Sequence, residues 1–424
     1  MERETILRTG YLDKIKSFID KPFVKIITGL RRSGKSELLK MLRDEVLKKT
    51  DAAHVIYINF EDADYDELLS YKQLNSYLES KITDDKTYYI FLDEIQEVEK
   101  WEKTVNSLRL RNTDIFITGS NSKIMSDELA TLLGGRTISF EIFTLSFAEF
   151  IDFRQKSGLS YLNPNGTING EGYGDPSAAW DAELQAYIKY GGFPALSVNQ
   201  YGDTEARKIV QDINSTALVR DVIQRYKIRR PQLLEKIVSF VYDNVGNIMS
   251  IASVSKYLKG QGRSSDPETI ANYVKYLEDA CIIKRAQRYD IKGKKLLETL
   301  DKYYLGDHSL QYAIRNIRQD KIQGILENIV YMELLRKGYN VYVGKMDGDK
   351  EIDFVAEKDG NGKVYVQVCL EFSSQETYAR EFTPLTSIKD NYPKYVVTMD
   401  KFWQADENGV KGIHLKDFLL KQEY

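Results

Sequence analysis

Eight consecutive residues, Gly29-Leu30-Arg31-Arg32-Ser33-Gly34-Lys35-Ser36, constrain this chain more than any other feature. They match the phosphate-loop pattern of a glycine, four variable positions, then glycine-lysine-serine. The run before them, Phe23-Val24-Lys25-Ile26-Ile27-Thr28, has the length and apolar content of a buried strand. The run after them, Glu37 to Arg43, spaces its apolar side chains as a helix does. A strand, a tight turn and a helix N-terminus aim several backbone N–H groups at one point, which makes an anion cradle. Gly29, Arg32, Ser33 and Gly34 are the expected cradle. Lys35 would reach the outer phosphates of a polyphosphate, and the Ser36 hydroxyl would ligate Mg²⁺.

A second signal lies downstream. Ile90-Phe91-Leu92 is apolar and runs into Asp93-Glu94, placing two carboxylates at a strand end. Open parallel sheets bind ligands at that edge. Asp93 is the expected partner of Mg²⁺, directly or through water. Glu94 is placed to polarise an attacking water as general base or orienting group. A further apolar strand, Asp114 to Thr118, leads to Gly119-Ser120-Asn121-Ser122. Asn121 is the preferred contact to the terminal phosphate or to the water, with Ser120 as the alternative. A plain turn cap reads equally well.

Composition narrows the classes. A chain of 424 residues suggests two to four domains, and 42% hydrophobic with 29% charged residues suits packed cores. A net charge of −3 argues against a wholly basic nucleic-acid coat but leaves room for a local basic face. Cys281 and Cys369 define neither a disulfide framework nor a zinc spacing, and His54, His308 and His414 are scattered. No basic segment followed by an apolar run opens the sequence, and no run reaches about 18 apolar residues. A cytoplasmic location with no membrane partner is the expectation.

Four segments follow from the pattern. Residues 1–155 alternate strands (His54 to Phe60, Thr87 to Leu92, Asp114 to Thr118) with helices, the mark of a parallel sheet with crossovers. Residues 156–230 hold a turn-rich insertion and then a helical stretch broken at Gly191-Gly192-Phe193-Pro194, read as a lid. Residues 231–305 read as three helices and two strands around a basic turn, a winged-helix pattern. Its third helix carries Asn272, Tyr273 and Lys275. Lys256, Lys259 and Arg263 precede that helix, and Lys284, Arg285, Arg288, Lys292, Lys294 and Lys295 follow it. Such clustering makes double-stranded DNA a candidate partner. Asp266, Glu268, Glu278 and Asp279 dilute the field, so a purely structural module with solvated lysines is the competing reading. Residues 306–424 alternate helix and strand again.

Taken together, these features resemble the AAA-type P-loop ATPases. In particular they resemble a prokaryotic family whose ATPase core is followed by a restriction-endonuclease-like domain of unknown function. The resemblance is carried by Thr28 to Ser36, by Leu92-Asp93-Glu94-Ile95-Gln96 with Trp101, and by Thr118 to Ser122. It continues through Gly135-Arg136, Leu145-Ser146-Phe147-Ala148-Glu149-Phe150, Gly191 to Pro194 and Arg220-Asp221. It implies an α/β chain: a P-loop NTPase parallel sheet with a helical lid, then a winged helix, then a smaller α/β restriction-endonuclease-like domain. It also implies ATP and Mg²⁺. An arginine acting across a subunit boundary would be Arg136 or Arg220, which requires a homo-oligomer or another protein partner. Either arginine could equally serve a structural ion pair.

The PD-(D/E)XK nuclease pattern, which the resemblance implies for residues 306–424, is incomplete. Glu327 and Asp353 match its first carboxylates. Gln367 stands where the second strand carboxylate belongs, and Cys369 where the lysine belongs. Period two puts Glu371 on the face of Gln367 and Cys369, where it could substitute in part. Glutamine is a poor Mg²⁺ ligand and a neutral thiol cannot do the lysine's work, so a degenerate, non-cleaving module is expected. The expected function is an ATP-driven switch. The alternatives are an ATP-dependent DNA nuclease and a nucleotide-binding signalling scaffold with little turnover.

Overall fold

A computed structural model of the chain describes residues 6–121, 133–163, 167, 176–297, 300–314, 321–348, 350–360, 362–372, 374–400 and 406–424. Two compact units divide them. The first runs to Thr144 and takes in Asp279–Cys281; the second holds Leu145–Glu278 and Ile282–Tyr424.

In the first unit the elements are α1 (Thr9–Lys16), β1 (Val24–Thr28), α2 (Lys35–Leu47), β2 (Val55–Asn59), α3 (Tyr71–Lys81), β3 (Tyr88–Asp93), α4 (Trp101–Leu108), β4 (Thr113–Gly119) and β5 (Thr137–Glu141). All five strands are parallel, in the order β2-β3-β4-β1-β5. Period-two alternation assigns each apolar side chain to one of two faces. Ile26, Ile58, Ile90, Leu92, Ile115 and Ile117 pack with Leu74 and Leu78 of α3 and Val105 and Leu108 of α4. Ile27, Phe91 and Phe116 pack on the other face with Leu12 and Ile15 of α1 and Leu38, Leu39 and Leu42 of α2. Covering both faces is what makes these strands read as continuous apolar runs. The strand β5 was not legible in this way: it is an edge strand, only partly buried, and its sequence Thr-Ile-Ser-Phe-Glu alternates.

Register sets the functional edge. Thr28 of β1 pairs with Gly119 of β4, Leu92 of β3 with Ile117 of β4, and Asn59 of β2 with Asp93 of β3. The C-terminal ends of these strands therefore stand level. The opposite edge is fixed by a buried ion pair, Lys25 with Asp114, and by Asp20 N–H donating to Asp114 Oδ2 at 2.8 Å.

The second unit begins with α5 (Phe147–Lys156), started by a capping box in which Ser146 and Glu149 exchange side-chain and backbone hydrogen bonds. Residues 164–166 and 168–175 of the expected turn-rich insertion lie outside the described residues. Helices α6 (Pro176–Tyr190) and α7 (Asp203–Thr216) follow, and α7 runs on into a π-helical stretch, Ala217–Gln224. The break between them has a packing reason. Gly191 has φ +74°, and a Cβ there would lie 2.2 Å from Asp307 Oδ1. Gly192 N–H donates to Asp307 Oδ2 at 2.9 Å.

Next come α8 (Pro231–Asp243), β6 (Ile248–Met249), α9 (Ile251–Gly260), α10 (Pro267–Asp279), β7 (Ile283–Ala286), β8 (Arg288–Asp290), β9 (Lys295–Leu296) and β10 (Asp301–Leu305). The strands β6-β10-β7 form a three-stranded antiparallel sheet. Tyr273, expected among the polar residues of α10, is instead buried, because it shares the helix face of Ile270, Val274 and Leu277.

Beyond a short helix, Leu310–Ile314, come α11 (Ile322–Arg336), β11 (Asn340–Lys345), β12 (Glu351–Lys358), β13 (Gly362–Cys369), α12 (Gln375–Thr386), β14 (Lys394–Thr398), β15 (Asp406–Glu407), β16 (Val410–His414) and α13 (Leu415–Leu420). An eight-stranded mixed sheet runs β15-β16-β14-β13-β12-β11-β8-β9. Its last two strands come from the basic turn: β8 pairs in parallel with β11, from Arg288↔Val343 to Asp290↔Lys345. The expected segments 231–305 and 306–424 thus share one sheet. Among the described residues no helix is long and apolar enough to cross a membrane.

Candidate functional site

The loop between β1 and α2 turns on a residue that must be glycine. Gly29 has φ +141°, and a Cβ there would lie 2.1 Å from the Ile142 carbonyl oxygen. Arg32, exposed, takes a left-handed conformation with φ +67°, and Gly34 immediately precedes α2. Lys35 is buried, and its ammonium donates to the carbonyls of Gly29 at 3.1 Å and Leu30 at 3.2 Å. These bonds hold the ammonium within the curve of the loop. The Ser33 hydroxyl is buried with no hydrogen-bond partner. From outside the motif, buried Arg8 donates from Nη1 to the Ser33 carbonyl at 3.0 Å and to the Phe143 carbonyl at 2.8 Å.

Facing this loop are the two acids at the end of β3. Ser36 Oγ donates to Asp93 Oδ1 at 3.1 Å, the Tyr57 hydroxyl donates to Asp93 Oδ2 at 3.1 Å, and the Thr118 hydroxyl donates to Asp93 Oδ1. Burial pushes the Asp93 carboxyl up, the Glu94 charge adds to that, and the three hydroxyl donors only partly offset it. Glu94 has φ +55°, a strained conformation for a non-glycine residue, with its N–H held by Thr118 Oγ1 at 2.9 Å. Its carboxylate accepts from the Gln96 amide and from Ser120 Oγ at 3.3 Å. Burial pushes the Glu94 carboxyl up as well, but the Lys35 ammonium, Gln96, Arg31 and Ser120 outweigh it and hold it below the usual carboxylate value.

The structure therefore brings Gly29, Ser33, Gly34, Lys35, Ser36, Asp93 and Glu94 to one edge. Of the two candidates after β4, Ser120 bonds Glu94 through its hydroxyl, and Asn121 is buried next to it in the chain. Ser122 lies outside the described residues. Arg136 is at the other edge of the sheet, ahead of β5, where its carbonyl accepts from Val24 N–H at 2.9 Å. It is exposed and lines a cavity of about 310 Å³ with Lys21, Arg109 and Arg111. A five-residue strand spans roughly 17 Å, so Arg136 cannot act on the nucleotide edge of its own chain. Arg220 is exposed on the π-helical stretch of the second unit.

Sequence reading missed Tyr57, Thr118 and Arg8 as partners. Tyr57 was recoverable from register: β2 and β3 end level at Asn59 and Asp93, and Tyr57 shares the face of Asn59 two positions on. Thr118 was quoted only as part of a motif. Arg8 carries no local signal, since its partners lie 25 and 135 residues away.

In the second unit, Glu327 on α11, Asp353 on β12 and Gln367 on β13 are all buried. Asp353 N–H donates to Gln367 Oε1 at 3.2 Å, and the Gln367 amide donates to Glu381 Oε2 at 2.7 Å. Cys369 is buried, and burial together with the nearby Glu381 charge pushes its thiol up to about 12. Glu371, expected to stand in for the missing acid, is exposed beyond the end of β13; Glu381 of α12 fills that neighbourhood instead.

Comparison with known proteins agrees with the first unit. Residues 21–151 match the AAA domain, and residues 181–321 match a domain of unknown function, DUF8612. An uncharacterised protein of Haemophilus influenzae is 35% identical over 424 residues, spanning 99% of this chain and 100% of its own. An uncharacterised protein of Methanocaldococcus jannaschii is 30% identical over 354 residues, 82% of this chain and 75% of its own. Among solved structures, a Walker-type ATPase of Pyrococcus abyssi aligns with a TM-score of 0.50 at 14% identity, over 74% of this chain and 97% of its own. At that identity the likeness is one of fold.

The Arg8 contacts yield a direct test. Removing a charged donor from two buried carbonyls costs about 2 kcal/mol, so Arg8→Ala should speed amide exchange across Gly29–Gly34 roughly 30-fold while leaving α3 unchanged. Exchange identical to that of the unsubstituted chain would show that Arg8 does not hold the loop.

Proposed function

The chain belongs to the family of AAA-domain proteins that includes the uncharacterised Haemophilus influenzae protein, and from that premise we propose that it is an ATP-binding and ATP-hydrolysing molecular switch. One observation carries the reading: the Ser36 hydroxyl, the Lys35 ammonium and the two acids Asp93 and Glu94 converge at one sheet edge. A nucleoside triphosphate with Mg²⁺ fits these residues. The buried, unpartnered Ser33 hydroxyl and the loop's N–H groups would bind phosphate oxygens, and Ser36 and Asp93 would hold the metal. Bound there, the metal would neutralise charge on the phosphate oxygens.

The remaining work falls to the chain itself. Lys35, released from the loop carbonyls, would neutralise the outer phosphates. Glu94, held as an anion, would accept a hydrogen bond from the attacking water. Gln96 and Ser120 would fix the direction of its carboxylate. Asn121 remains the candidate contact to the terminal phosphate. An arginine acting from the position of Arg136 would serve a second copy of the chain, so the reading includes a homo-oligomer, with Arg220 as the alternative arginine. The nucleotide state would be passed to the second unit, whose helices α6 and α7 are the proposed lid. In that unit, α8 to α10 with β6, β7 and β10 support a winged-helix reading, and α11 to α13 with β11 to β16 support a restriction-endonuclease-like one.

Glu94→Gln tests the assignment. Phosphate release should fall on the order of 100- to 1,000-fold with ATP affinity retained. Because the Glu94 carboxyl is held low while burial pushes the Asp93 carboxyl up, the first loss of turnover on acidification should follow protonation of Asp93, not of Glu94. Unchanged phosphate release in the variant would remove Glu94 from the mechanism.

Duplex DNA is the second reading, favoured by exposed Asn272 and Lys275 on α10, exposed Lys292 and Lys294 between β8 and β9, and exposed Lys295 at the start of β9. Three of its cations are engaged within the chain, Lys292 by an exposed pair with Asp347 at 3.2 Å. Arg285 Nε donates to Asp301 Oδ2 at 2.6 Å, and Arg288, buried, pairs with Glu351 at 3.2 Å. On this reading Lys294→Glu with Lys295→Glu should weaken binding of a labelled duplex and lower its salt dependence by about two phosphate contacts. Undiminished salt-sensitive binding would exclude this turn as the contact.

A further inference from the structure

The PD-(D/E)XK resemblance implies a Mg²⁺ held by Glu327, Asp353 and a further ligand, but the residues present do not fit one. Gln367 spends its amide on the Asp353 N–H and on Glu381. One Asp353 oxygen is committed to the Val368 N–H at 2.9 Å. Among the described residues no group of three or more His, Cys, Asp and Glu is arranged to hold a metal ion.

What stands among the carboxylates is a lysine from outside the motif. Lys302, on β10, places its ammonium 3.6 Å from Asp353 Oδ1, 3.7 Å from Glu327 Oε2 and 4.0 Å from Glu351 Oε2. Its side chain is 8% exposed, and those of Glu327 and Asp353 are 9% and 10% exposed. Acids this buried and this close repel one another and need a cation. Burial disfavours the Lys302 charge, yet Glu327, Asp353 and Glu351 outweigh burial and hold the ammonium above the ordinary lysine value. Burial and Asp353 push the Glu327 carboxyl up to about 7, against the pull of Lys302. The Tyr304 hydroxyl donates to Glu327 Oε2 at 3.1 Å, and Arg288 shares Glu351. Lys302 belongs to the three-stranded sheet, whereas Glu351 and Asp353 belong to the eight-stranded one.

We propose that Lys302 is the resident cation of this site: a tethered ammonium stands in place of a divalent metal and fastens β10 to the neighbouring sheet. A lysine in the motif's own position would lie beside a metal and assist it. Here the basic group lies between the acids and excludes the metal, so the site is closed and needs no ion from solution. This inference is independent of the nucleotide reading.

The test counts Mn²⁺ bound by the nucleotide-free full-length chain, from the free-ion electron paramagnetic resonance signal, alongside thermal unfolding. The unsubstituted chain and Lys302→Arg should bind no Mn²⁺ that Asp353→Asn removes. Lys302→Met should melt several degrees lower, regain most of that loss in millimolar MnCl₂, and bind a single Mn²⁺ that a further Asp353→Asn abolishes. Lys302→Gln, the smaller perturbation, should behave alike. An Asp353-dependent Mn²⁺ in the unsubstituted chain would overturn the proposal. So would neutral variants that neither bind nor are stabilised by Mn²⁺, or that are recovered only unfolded with and without it.

Discussion

The bond from the Ser36 hydroxyl to Asp93, 3.1 Å long, is the contact on which the nucleotide edge depends. It joins the first turn of α2, the helix that follows β1, to the end of β3, and β1 and β3 are not neighbours in the sheet. It exists because β4, lying between β1 and β3, stands in register with both. A slip of one residue in either pairing would turn Asp93 to the other face of the sheet. The buried pair Lys25 and Asp114 at the far edge ties β1 to β4 and so guards that register.

Two adjacent carboxylates at this edge are driven in opposite directions by their surroundings. Asp93 is met by neutral hydroxyls, and burial wins. Glu94 lies within the field of Lys35, and the ammonium wins. Neighbouring acids whose proton affinities are pushed apart are suited to different tasks. The strained backbone at Glu94 is what turns its side chain from the Asp93 side toward Ser120 and Gln96. Lysines show the same division of labour between the units. Lys35 is held by weak backbone acceptors that a phosphate can replace, whereas Lys302 is held by carboxylates that nothing comparable displaces.

Local chemistry was legible in the sequence, and long-range placement was not. The loop from Gly29 to Ser36, the acids after β3 and the three inner strands were readable because each is encoded in a few consecutive residues with strong periodicity. The edge strand β5 was not, since half-buried alternation is a weak signal. Arg136 read as a site residue because it follows two glycines, but parallel pairing of β5 with β1 carries it to the wrong edge for its own chain. The basic turn read as part of a winged helix or of a structural module, and nothing local showed that β8 joins the sheet of β11 and that Arg288 is buried. The pattern of the last segment showed a missing lysine; only the three-dimensional structure reveals that Lys302 of β10 is the lysine that reaches the acids.

The most direct measurement of the central claim is a calorimetric titration of magnesium-ATP into the purified chain, beside one into Lys35→Ala. The account predicts heat that saturates at a single site per chain for the unsubstituted protein and no heat for the variant. Equal heat from both proteins, or none from either, would contradict it.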